Sequence, residues 1–306
     1  MSGVMTELAD DVQRDRLVRR FGAKARSWLA GLPALVDELA GEWKLSIIGR
    51  APHGQTSVVL FARRVDGSAA VLKMSPDPAL LATEACTLGL WRETGRVPAV
   101  WEVDEQRGGL LLEAVEPGEH VADMTTWPPL EEIARLIRDL HTARVPEDKV
   151  SRLRPLQSRV NFVYHLWEQR RVQGRAADLV PPVLLHHGHA RARALTANQD
   201  NVVALHGDLH PHNVLNGGPR RGLVAIDPRA CVGDAAVDAM NWALWGVASR
   251  EEVDRRISVL APAIGSSQER LLGWCRAIAP ILAISRANRG EAHLPEFEVL
   301  MSLSAC

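Results

Sequence analysis

Apolar and polar positions recur along this chain in two rhythms. Val12, Leu17, Val18, Phe21, Trp28, Leu29, Leu32 and Leu35 come back at near-helical spacing, which predicts helix over 12–41, broken or restarted at Pro33. The rhythm then shortens. Residues 43–48 and 56–62 are rich in β-branched and large apolar side chains, Asp66-Gly67 is a turn signal, and 70–74 returns as a third strand. Pro76 and Pro78 stop this antiparallel meander, and a helix is expected over 78–94. Strands over 99–103 and 109–113, joined by a turn near 106–108, bring the total to about five, with one helix inserted after the third.

Composition shifts at Glu116-Pro117-Gly118. Beyond it the helical rhythm predicts helices over 128–143, 151–173, 181–197, 234–248, 250–261, 268–289 and 295–303, with short strands only around 203–226. The fold class is therefore α+β. A β-rich lobe with a helical N-terminal extension spans 1–115, and a mostly α-helical lobe spans 116–306. A groove between two such lobes is a usual place for a ligand.

Bulk properties narrow the function classes. A net charge of −1 over 306 residues leaves no broad basic surface for nucleic acid. No apolar stretch is long enough for a membrane span. The first twenty residues carry arginines and acids but no apolar core, unlike a targeting peptide. The four cysteines are scattered without a CxxC, which fits unpaired thiols in a reducing cytoplasm. A monomer or a weak homodimer is expected.

The chemistry concentrates at Val203-Ala-Leu-His206-Gly207-Asp208-Leu209-His210-Pro211-His212-Asn213-Val-Leu215. A short apolar run enters a polar loop, a second run leaves it, and a strand over 222–226 delivers Asp227. Two carboxylates and a carboxamide at the ends of buried strands are hard oxygen donors suited to a divalent cation and a phosphate. In phosphoryl transfer one Asp orients the attacking hydroxyl, while an Asn and a second Asp hold Mg2+. Asp208 and Asn213 are spaced as in the kinase pattern H-R-D-L-x-x-x-N, and Asp227 stands where the Asp of D-F-G would stand. Lys73 on the third strand is either an ordinary exposed lysine or a cation for phosphate oxygens, with Glu84 of the next helix to fix its direction. The loop over 49–57 offers Gly54, Thr56 and Ser57 for backbone approach to a phosphate, or is a plain hairpin turn.

These residues together resemble the aminoglycoside phosphotransferase family, which shares the two-lobed protein-kinase fold. The resemblance spans nearly the whole chain, from Lys73 and Glu84 through His206-Gly207-Asp208 to Ile226-Asp227-Pro228. The run from Ile226 to Asp234, with Asp238 and with Ala30-Gly-Leu-Pro-Ala-Leu-Val36, is similar to the branch of streptomycin 6-kinases and hydroxyurea phosphotransferases. The resemblance implies ATP- and Mg2+-dependent O-phosphorylation of a small hydroxylated antibiotic. Streptomycin at its 6-hydroxyl is favoured as acceptor, with hydroxyurea or another small molecule second. It implies Asp208 as catalytic base, Asn213 and Asp227 on Mg2+, and Lys73 on the α- and β-phosphates. Backbone groups near Glu113 and Val115 would hold the adenine. Pro228-Arg229 in place of Phe-Gly argues against an activation-loop switch, and the lack of an A-P-E sequence disfavours a protein substrate.

Other readings compete. His206, His210 and His212, with Asp208 and Asp227, could serve a zinc-dependent hydrolase, and His186-His187-Gly188-His189 is a second histidine run. A nucleotide binder without catalysis has no need of Lys73, Asp208, Asn213 and Asp227 together. For the acceptor, Asp234, Asp238, Glu291 and Glu296 would attract a cationic molecule, with Asn241, Trp242 and Trp245 nearby. Helical spacing makes core packing the stronger expectation for the two tryptophans, and Asp234 is also placed to cap the 234–248 helix.

Overall fold

The structure, a computed structural model, describes residues 8–51, 56–143 and 153–305. It divides into two compact units, Met1–Gly118 and Glu119–Cys306.

The first unit opens with helices Asp11–Phe21 and Ala23–Glu42. Asp10 caps the first, its Oδ1 accepting from the Gln13 N–H at 2.8 Å. The break between them falls at Gly22, which takes φ 66°, and not at Pro33, which lies inside the second helix. An interior proline costs about 3 kcal/mol. Leu29, Leu32, Val36 and Leu39 are all buried on that helix, and at roughly 1.5–3 kcal/mol each their burial outweighs the lost hydrogen bond. They pack in one cluster with Leu60, Leu72 and Leu111 of the sheet.

That sheet is antiparallel throughout, in the order β1-β2-β3-β5-β4, with β1 Leu45–Arg50, β2 Val58–Arg64, β3 Ala69–Met74, β4 Val100–Asp104 and β5 Gly109–Glu113. β3 is central, with Lys73 opposite Val59 on one side and Leu110 on the other. Helix Pro78–Leu90 follows β3 and ends four residues before the predicted 94, where Arg92–Thr94 tightens into a 3-10 turn.

The second unit is helical: Leu130–His141, Leu156–Gln173, Ala176–Leu179, Pro182–Ala197, Val237–Leu244, Arg250–Ala263, Gln268–Asn288 and Pro295–Ala305. Two small sheets sit among the helices. One has the order β6-β10-β7, from β6 Arg154–Pro155, β7 Val202–Leu205 and β10 Cys231–Asp234. The other pairs β8 Val214–Asn216 with β9 Leu223–Ala225. The predicted 234–248 helix is shorter than expected. Its first residue belongs to β10, and the helix stops before Trp245, whose backbone is extended. Among the described residues no helix is long and apolar enough to cross a membrane.

Candidate active site

In the first unit β3 carries Lys73 and the Pro78–Leu90 helix carries Glu84. The ammonium donates to both carboxylate oxygens, at 2.8 and 2.7 Å, and the residues are 5% and 3% exposed. A buried ion pair adds little net stability, because desolvating two charges offsets their attraction. The pair ties the end of β3 to the Pro78–Leu90 helix. Thr56 and Ser57 are buried, and their carbonyls accept from Ser75 Oγ and Gln13 Nε2, which ties the start of β2 to the end of β3 and to the first helix. Gly54 lies outside the described residues. Glu113 closes β5. Its N–H donates to the Ala99 carbonyl at 2.9 Å and its Oε2 accepts from the Ala99 N–H. Val115 is buried just beyond it.

In the second unit β7 runs directly into the loop 206–213, which is fastened at several points. Asp238, fully buried on the Val237–Leu244 helix, accepts the N–H groups of His206 at 2.8 Å and Gly207 at 2.9 Å, and His141 Nε2–H at 3.0 Å. Burial alone would raise the Asp238 carboxyl. The His141 bond, the nearby imidazoles and the Gly207 N–H outweigh it and hold the group below the usual carboxylate range. His206 is buried too, and burial pushes it down, so its ring is neutral. Its Nε2–H donates to the Ile226 carbonyl at 3.0 Å, which leaves Nδ1 to face the Asp208 N–H at 3.4 Å. Gly207 takes φ 76°, and a Cβ there would lie 2.4 Å from the Arg229 carbonyl.

The Asn213 side chain donates through Nδ2 to the Asp208 backbone carbonyl at 2.9 Å, and the Asn213 backbone carbonyl accepts the Ile226 N–H at 2.9 Å. One residue thus clips the 206–213 loop to the end of β9, where Asp227 follows. Asp227 stands in the left-handed region at φ 56°, a conformation costing about 1–3 kcal/mol in a residue with a side chain and concentrated at functional sites. Both Asp208 and Asp227 act electrostatically on His210, which burial pushes down. These contacts bring Asp208, Asn213 and Asp227 into one neighbourhood. With the Asn213 nitrogen committed to Asp208, its amide oxygen and the Asp227 carboxylate are hard oxygen donors of the kind that would suit Mg2+.

Arg159, from the Leu156–Gln173 helix, donates through Nη2 to Asp208 Oδ1 at 3.0 Å. Sequence reasoning missed it, and His141 as well. Nothing local marks one arginine of a chain with 36 basic side chains, and its partner is 49 residues away.

The residues expected to meet an acceptor fall in different surroundings. Trp242 is fully buried and packs edge-on against Trp127. Asp238 holds the loop. Asp234 is fully buried at the end of β10, where it accepts from Arg270 Nε, Trp274 Nε1 and the Ala236 N–H, and it does not cap the helix. Asn241 donates to the Leu209 carbonyl at 3.3 Å. Glu291 pairs with Arg286 and Arg289, and Glu296 with Arg286. Trp245 is half-buried, its ring stacked on His210 and edge-on to His212. The histidines do not make a zinc site: no group of three or more His, Cys, Asp or Glu among the described residues is placed to hold a metal. His189 of the second histidine run stacks on Tyr164.

Comparison with known proteins decides the family. The family described as aminoglycoside/hydroxyurea antibiotic resistance kinase matches residues 42–290. The chain belongs to this family. Hydroxyurea phosphotransferase of Kitasatospora aureofaciens is 31% identical to this kinase over 304 residues, covering 98% of this chain and 86% of that one. Streptomycin 6-kinase of Streptomyces glaucescens is 31% identical over 265 residues, covering 84% and 83%. Among solved structures, a spectinomycin phosphotransferase in complex with ADP and spectinomycin superposes with a TM-score of 0.56 at 12% identity, over 90% of this kinase and 97% of that chain. At that identity the likeness speaks for the two-lobed α+β kinase-like fold alone. The protein is a small-molecule kinase.

Proposed function

We propose that this kinase transfers the γ-phosphoryl group of ATP to a hydroxyl of a small antibiotic. The observation that carries the reading is the clip made by Asn213, which holds the loop of Asp208 and the strand end of Asp227 together. Asp208 orients the acceptor hydroxyl and takes its proton. The acceptor oxygen bonds to the γ-phosphorus, the bond to the β–γ bridging oxygen breaks, and ADP leaves. Lys73, aimed by Glu84, serves the α- and β-phosphates, and Asn213 and Asp227 hold Mg2+, which when bound neutralises phosphate charge. Backbone groups near Glu113 and Val115 serve the adenine.

Streptomycin at its 6-hydroxyl is the first acceptor we assign, after the name of the Streptomyces relative. One observation favours hydroxyurea as the second. The acids that would draw in a cationic acceptor are occupied internally: Asp234 by Arg270, Asp238 by His141, Glu291 and Glu296 by Arg286. An uncharged acceptor needs none of them. A coupled ADP-release screen over streptomycin, hydroxyurea and other hydroxylated antibiotics tests the reading. Acceptor-dependent ADP release with one of the two supports it. ADP release that no hydroxylated compound stimulates contradicts it.

A further inference from the structure

The carboxylate of Asp208 is 39% exposed, and its partner Arg159 is 20% exposed. Their meeting is built into the fold. β6 leads straight into the Leu156–Gln173 helix and places Arg159 in its first turn. β6 pairs with β10 through Arg154 opposite Cys231 and Pro155 opposite Val232. β10 pairs on its other edge with β7, the strand that enters the catalytic loop, through Cys231 opposite Leu205. The helix start is seated closely: a Cβ on Gly233 would lie 2.4 Å from Leu156 Cβ, so only glycine admits it there. Gln157 is tied to Thr196 at 2.9 Å. Arg159 and Asp208 therefore hang from the two outer strands of one small sheet.

The guanidinium of Arg159 meets the Asp208 carboxylate through Oδ1. A carboxylate held at one oxygen cannot rotate freely, and Oδ2 is the oxygen left outside this bond. Orientation of this kind is worth a large factor in rate, and a misplacement of about 1 Å costs on the order of 10²-fold.

We propose that Arg159 is a positioning residue for the phosphoryl transfer, fixing Asp208 through Oδ1 so that Oδ2 meets the acceptor hydroxyl. The proposal rests on the reading of Asp208 as the acceptor-facing base. Its test is a double-mutant cycle of Arg159→Gln and Asp208→Asn, followed by single-turnover ADP release at excess enzyme. Arg159→Gln should lower kcat roughly 10- to 100-fold. Calorimetric affinity for ATP with Mg2+ should stay within about twofold, and Tm should barely move, because a half-exposed ion pair contributes little to stability. Arg159→Lys should recover several-fold over Gln. In the Asp208→Asn background Arg159→Gln should cost nothing more, because it acts through the missing carboxylate. A kcat unchanged in Arg159→Gln overturns the proposal. So does a further loss in the double variant, a Lys variant no better than Gln, or a loss of nucleotide affinity or Tm in step with kcat. Failure of the underlying reading shows differently: Asp208→Asn itself would then turn over at the wild-type rate.

Discussion

Asp238→Asn probes the anchor of the catalytic loop. The carboxylate accepts two backbone N–H groups and one imidazole N–H, all within 3.0 Å and away from water. An amide of the same shape has one acceptor oxygen and one donor nitrogen. Whichever way it turns, at least one buried N–H faces a donor, at a cost of about 1–3 kcal/mol. The surviving bonds lose charge assistance, which removes roughly 1 kcal/mol more. The sum is about 2–4 kcal/mol, or about 5–15 °C in Tm for a unit of this size. The loop should lose order as well, so kcat should fall at least tenfold while ATP affinity changes little. Urea unfolding and steady-state kinetics on the same preparation give both numbers. Stability within about 0.5 kcal/mol of wild type with full turnover would refute the reasoning.

Further substitutions test other parts. Gly207→Ala places a methyl 2.4 Å from the Arg229 carbonyl in a left-handed backbone, so turnover should collapse; wild-type kcat would show that the loop has room to shift. Lys73→Met strands a buried Glu84 carboxylate and should cost about 3–5 kcal/mol, whereas Lys73→Met with Glu84→Leu should regain most of that stability without regaining activity. Activity returning with stability would remove the pair from nucleotide handling. His206 and His210 are both held neutral by burial, so the unfolded chain takes up protons as pH falls below about 6.5 while the folded chain does not. Stability should therefore fall with decreasing pH by up to about 1.4 kcal/mol per unit per group, and His210→Phe should flatten the Tm profile between pH 5 and 7. Parallel profiles would contradict it.

Much of the site was legible because its residues are close in sequence. Asp208 and Asn213 share one loop, and β8 and β9 follow it directly as a short hairpin, so short-range pattern sufficed. The Lys73–Glu84 pair was legible for the same reason, a strand followed at once by a helix. What was illegible depends on distant partners. Asp238 and Asp234 looked like surface acids available to a ligand, yet each is buried against groups far along the chain: His141 in one case, Arg270 and Trp274 in the other. Pro33 looked like a helix break because propensity is local, whereas the leucines that carry the helix through it gain their energy from the sheet. β10 escaped notice because Cys231-Val-Gly-Asp234 is short and has no alternation of its own; pairing with β6 and β7 makes it a strand.

The account stands most directly on calorimetric titration of ATP with Mg2+ into wild type and Asp227→Ala. Asp227 supplies a carboxylate oxygen to the metal in this reading, so the substitution should abolish measurable binding of the Mg2+-nucleotide. Equal affinity in the two proteins would contradict the assignment of Asp208, Asn213 and Asp227 to one magnesium–triphosphate.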